Sequence, residues 1–123
     1  MPKATYVDGF VLVVPKKNVA AYKKMATEGM KAWKKFGALD YKECTIDDAK
    51  PAHVSFTFPK MANAKPSDVV FFSFITFKSR AHRDQVNKKV MKYFEEEYKG
   101  PAEEKMPFDM KKFAYAGFKV LVG

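Results

Sequence analysis

At 123 residues with 47% hydrophobic content, 12 Phe and 6 Tyr, the chain is long enough to bury a core and too apolar to be a disordered tail. No apolar run approaches the roughly 20 residues of a membrane helix, and the single Cys44 excludes an internal disulfide. A net charge of +9 raises nucleic acid as a partner, but apart from Arg80 and Arg83 the 23 basic residues are lysines, which lack the planar fork that grips phosphates and guanine edges.

The opening residues, Met1 to Thr5, carry no signal-peptide pattern, so a cytoplasmic setting is expected, with one domain over 1–123. Gly9-Phe10-Val11-Leu12-Val13-Val14 reads as a first strand, two-sided in character: Phe10, Leu12 and Val14 on one face, Val7, Val11 and Val13 on the other. Pro15 ends it. Asn18 is a candidate cap for a helix to about Phe36, with Val19, Tyr22, Met25, Ala26, Met30, Trp33 and Phe36 on one face and lysines on the other. Gly37 stops that helix.

Leu39 to Thr45 reads as a second strand, and residues 47–51 as a turn. Val54 to Phe58 alternates apolar and polar residues, predicting a small peripheral strand before a surface loop from Pro59 to Pro66. Val69 to Phe77 is apolar on both faces, a strand buried on both sides. Ser79 then caps a second helix through about Phe94, with Val86, Val90 and Phe94 on the buried stripe. A helical turn and loop are expected over 95–105. Met106-Pro107-Phe108-Asp109 leads into a closing strand, Gly117-Phe118-Lys119-Val120-Leu121-Val122, that echoes the first.

This order predicts an α+β, ferredoxin-like βαββαβ fold with an antiparallel sheet ordered 4-1-3-2, both helices on one face and a small extra strand. The other sheet face is then bare and apolar. A second copy of the chain is its expected cover, so a homodimer is predicted.

Tyr6-Val7-Asp8-Gly9-Phe10-Val11, Phe36-Gly37-Ala38-Leu39, Glu43-Cys44, Ser79-Arg80-Ala81-His82-Arg83-Asp84 with Asn87, Lys89, Val90 and Met91, and Met106-Pro107-Phe108-Asp109 together resemble the YbaA-like bacterial family of unknown function. The resemblance spans nearly the whole chain. It implies a protomer of the dimeric α/β-barrel superfamily and no established activity. Phe74 stands where the family pattern carries Trp, Lys112-Phe113 where it carries Arg-Met, and Ala116-Gly117 where it carries Gly-Gly.

No catalytic motif emerges from the residues. Asp8 is a carboxylate inside an otherwise apolar central strand, and such a group needs partners; Tyr6, Tyr115, Ser73 and Arg83 are the candidates. It is either a structural acceptor or a general base. His53, His82 and Cys44 are too few and too scattered for a metal cage, and His82 reads as a hydrogen-bonding residue rather than a haem ligand. Cys44 reads as a small buried strand residue, its neighbour Glu43 pointing to the opposite face. Asp109 is read as a turn cap or a group reaching across a dimer.

The leading expectation is a small apolar pocket between sheet and helices that binds a small organic ligand. Asp8, Trp33, Glu43, Phe72, Tyr6, Tyr115 and Arg83 are its candidate residues, with no metal and no cofactor. The alternatives are nonspecific nucleic-acid binding through the lysine-rich helices and a cofactor-independent monooxygenase-like or isomerase enzyme using Asp8 as base.

Overall fold

A computed structural model describes residues 2–97 and 106–123. β1 (Tyr6–Pro15) and β3 (Asp68–Phe77), both dominated by Val and Phe, pair antiparallel along their whole length, Tyr6 opposite Phe77 and Pro15 opposite Asp68. β2 (Asp40–Thr45) adds to the outer edge of β3, and β4 (Ala114–Lys119) to that of β1. The sheet order β2-β3-β1-β4 is the one expected of a ferredoxin-like α+β fold, with the two most apolar strands central.

The long crossover helices α1 (Val19–Lys35) and α3 (Arg80–Glu97) cover one sheet face and split its core in two. Around one end, Tyr6, Ile75 and Phe77 pack with Ala32 of α1 and with Val86 and Val90 of α3. Around the other, Leu12, Val14 and Phe71 pack with Tyr22 and Ala26 of α1 and with Phe108. Between the two clusters, on the same sheet face, lie the polar side chains of Asp8, Glu43 and Ser73.

The opposite sheet face alternates out of phase with this one and carries Val7, Val11, Phe72, Phe74 and Phe118. Phe72 and Phe118 are 43% and 56% exposed, so β3 is buried on both sides only at its Val70 end. Gly9 lies beneath the Phe118 ring, where a Cβ would stand 3.2 Å from the nearest ring carbon. Gly117, opposite Asp8 in the ladder, lies against the Tyr6 ring so closely that a Cβ would fall 2.9 Å from two of its carbons.

Local signals are met unevenly. Gly37 takes a left-handed φ of +116° after α1, and the Ser79 hydroxyl caps α3 by accepting from the His82 amide at 3.0 Å. Asn18 makes no cap. A single 3₁₀ turn, Lys16–Asn18, leads into α1, and the Asn18 amide instead donates to the Pro107 carbonyl at 3.1 Å. The buried stripe of α1 is Tyr22, Ala26, Gly29 and Ala32, narrower than its apolar pattern, and Met25 is exposed.

The small strand expected over Val54 to Phe58 does not form. His53 turns the chain at a φ of 67°, Phe56 is 69% exposed, and Thr57 caps a one-turn helix α2 (Phe58–Met61) with Pro59 in its first turn. Alternation alone does not make a strand, and this segment pairs with neither open edge of the sheet, β2 or β4. The segment instead folds over one end of the open sheet face, with the Phe58 ring edge-on to Phe72 at 6.2 Å. Glu95 to Glu97 extend α3, and the rest of the loop expected over 95–105 lies outside the described residues.

Candidate functional site: a cleft between sheet and helices

The gap between the two core clusters opens into a cleft of about 1090 Å³. This is larger than the small pocket expected and lies just above the usual range of small-molecule sites. Sheet residues Asp8, Phe10, Tyr41, Glu43, Ser73 and Ile75 form its floor, and Trp33 and Gly29 of α1 with Asn87 and Phe94 of α3 form its walls.

Two polar networks lie in that floor. In the first, the Glu43 carboxylate accepts from the Tyr41 hydroxyl on Oε1 at 2.8 Å, from the Tyr22 hydroxyl on Oε2 at 2.8 Å, and from the Ser73 hydroxyl on Oε2. Burial, reinforced by the neighbouring Glu43 charge, pushes both tyrosines well above the ordinary phenol range. They therefore stay protonated and serve as donors. Among the described residues no Lys, Arg or His forms an ion pair with Glu43.

In the second network Asp8, 1% exposed, receives Arg83 Nη1 on Oδ1 at 2.7 Å and the Asn87 amide on Oδ2 at 3.4 Å. The same Arg83 nitrogen donates to the Tyr115 hydroxyl at 2.8 Å, its Nε donates to Asp84 at 2.8 Å, and its guanidinium stacks over the Tyr6 ring at 5.0 Å. Burial alone would lower the Arg83 pKa, but the Asp84 and Asp8 carboxylates raise it, so it is a permanent cation. Tyr115 is raised by burial and by the Asp8 charge. Asn87 closes the network at the wall, accepting from Trp33 Nε1 at 2.9 Å.

Of the residues expected here, Asp8, Trp33, Glu43 and Tyr115 line the cleft. Tyr6 and Arg83 lie outside its lining and support it, as the stacked ring and the counter-ion of Asp8. Phe72 is a correction: it stands on the other face of the sheet, packed against Phe58 and Phe74, because strand alternation sends it away from its buried neighbours Phe71 and Ser73. Ser73, expected as a partner of Asp8, bonds Glu43 instead, since the register sets Ser73 opposite Glu43 and Ile75 opposite Asp8.

Sequence reasoning missed Tyr22, Tyr41 and Asn87. Tyr41 was available from spacing, two residues before Glu43 on one strand face, whereas Tyr22 lies on an apolar stripe that read as plain core. His82 holds a structural position: its Nδ1 accepts from the Lys78 amide at 3.0 Å and its ring lies edge-on to Phe77. Asp109 caps a 3₁₀ turn, accepting from the Lys111 amide at 2.9 Å. Cys44 is a correction: expected to be buried, it is exposed, because it lies opposite Phe72 on the open sheet face.

The uncharacterized protein YbaA of Escherichia coli K12 is 37% identical to this chain over 117 residues, covering 95% of it and 97% of the relative. The Shigella flexneri protein of the same name matches to the same extent. A family model described as a protein of unknown function, DUF1428, matches residues 5–110, and the chain belongs to that family.

Proposed function

We propose that this protein binds a small organic molecule in the cleft between sheet and helices, as a homodimer joined through its open sheet faces. The observation that carries the ligand reading is the break in the core. A fold of this size gains by filling such a gap with aliphatic side chains, yet here it holds about 1090 Å³ of space over a floor of hydrogen-bonded carboxylates. The polar groups are held by neighbours before any ligand arrives, which lowers the cost of ordering them on binding.

Binding is favoured over proton abstraction by Asp8, because that carboxylate is 1% exposed and ion-paired to Arg83. The dimer reading rests on Phe72, Phe118 and their neighbours on the open face, each worth about 1.5–3 kcal/mol on full burial. In the dimer these faces cover each other and leave the two clefts on the outer, helical sides.

Trp33, the single tryptophan, lines the cleft and reports on its contents. A set of small aromatic fragments at about 1 mM is expected to give saturable changes in its emission. Gly29→Leu should abolish them, since its side chain would enter the space beside the Tyr41 hydroxyl, 3.1 Å from the position of an added Cβ. Leu is a better helix former than Gly, so the variant keeps its helix content. No saturable response from any fragment contradicts the proposal.

A further inference from the structure

The cleft does not share the positive charge of the molecule. The chain carries +9, yet the ionisable carboxylates and amines lining the cleft are Asp8, Glu28 and Glu43 against Lys24. Asp8 is neutralised by Arg83 from outside the lining, and Glu28 pairs at the helix surface with Lys31 at 3.8 Å. Glu43 is different. Its bound partners are the neutral hydroxyls of Tyr22, Tyr41 and Ser73, which orient the carboxylate without cancelling its charge. A carboxylate offers about four acceptor sites, and Oε1 holds one donor where Oε2 holds two, so Oε1 keeps acceptor capacity. Beside it stand the Tyr41 and Trp33 rings, centroids 6.0 Å apart, whose faces also attract cations.

Building on the reading of the cleft as a small-molecule site, we infer that its ligand carries a protonated amine. The ammonium group donates to Glu43 Oε1 beside the Trp33 and Tyr41 rings, and the apolar body lies along the cleft toward Phe10. An uncompensated, fixed carboxylate in a partly desolvated apolar cleft favours a cation over a neutral group of the same shape and repels an anion. Asp8 cannot play this part, because it is 1% exposed and the Arg83 guanidinium already neutralises it.

Three probes of one shape test the inference: 3-phenylpropylamine, 3-phenylpropan-1-ol and 3-phenylpropanoate, each displacing the neutral dye Nile red from the intact protein at neutral pH. The amine is expected to displace the dye at a concentration about tenfold or more below the alcohol, with the acid weakest. In Glu43→Gln, which keeps an acceptor oxygen for Tyr41, the advantage over the alcohol is expected to vanish while alcohol displacement stays. The wild-type comparison stands without that variant. Equal displacement by amine and alcohol, a preference for the acid, or an amine preference that survives in Glu43→Gln overturns the inference. If the dye binds and the amine has no advantage, the inference falls and the cleft reading stands. If neither dye nor probe binds, both fall.

Discussion

Asp8 and Arg83 form the most demanding contact in the protein, a 2.7 Å ion pair with the carboxylate 1% and the guanidinium 12% exposed. Removing one partner leaves the other charged in a site built to exclude water. Arg83→Met is therefore expected to cost about 3–5 kcal/mol in urea denaturation, and adding Asp8→Asn should recover a large part of it. Loss of less than about 1 kcal/mol, the range of exposed pairs such as Lys31 with Glu28, would show the pair to be peripheral. That Asp8 needs a partner is legible from one acidic residue in an apolar strand. Which of four candidates supplies it is not, because the choice depends on register: the ladder sets Ser73 beside Glu43, and the α3 crossover brings Arg83 over Tyr6. Gly117 belongs to the same neighbourhood, its missing side chain making room for the Tyr6 ring on which Arg83 stacks.

At the level of elements, the strands and long helices follow from runs and periodicities that many residues share, so single exceptions do not disturb them. The misread segments depend on one or two residues. Val54 to Phe58 has the alternation of a strand but follows a left-handed turn at His53 and joins neither sheet edge, and Asn18 has the chemistry of a cap but donates to Pro107. The start of α3 is the opposite case, with Ser79 capping as its position implies and His82 tying the helix to the end of β3 through the Lys78 amide. Burial first, and the Lys78 charge second, hold the His82 pKa below its ordinary 6.5. The folded protein then binds this proton more weakly than the unfolded chain. Stability contributed here is intact above about pH 6.5 and is lost as pH falls from there through the folded-state value. Thermal unfolding midpoints across this window should decline with acidification in the wild type and decline less in His82→Gln. Identical slopes would remove His82 from the acid response.

For the whole molecule, one layer of two helices covers one face of the sheet and leaves the other with Phe72 and Phe118 exposed and Val7 and Val11 half-buried. The ferredoxin-like sheet order was legible because β1 and β3 are apolar on both sides, which only central strands need to be. The cleft was legible in outline, through Asp8, Glu43 and Trp33, but not in size, since its volume depends on how far α1 and α3 stand from the floor. Among the described residues no helix is long and apolar enough to cross a membrane. In the homodimer we propose, a second copy related by a two-fold axis covers this face with an identical one and leaves both clefts outward. Light scattering on a size-exclusion column at micromolar concentration weighs this directly. One species at twice the protomer mass of 14.1 kDa is the expected result, shifting toward the protomer in Phe72→Lys, and a wild-type protein eluting as a single 14.1 kDa species would contradict it.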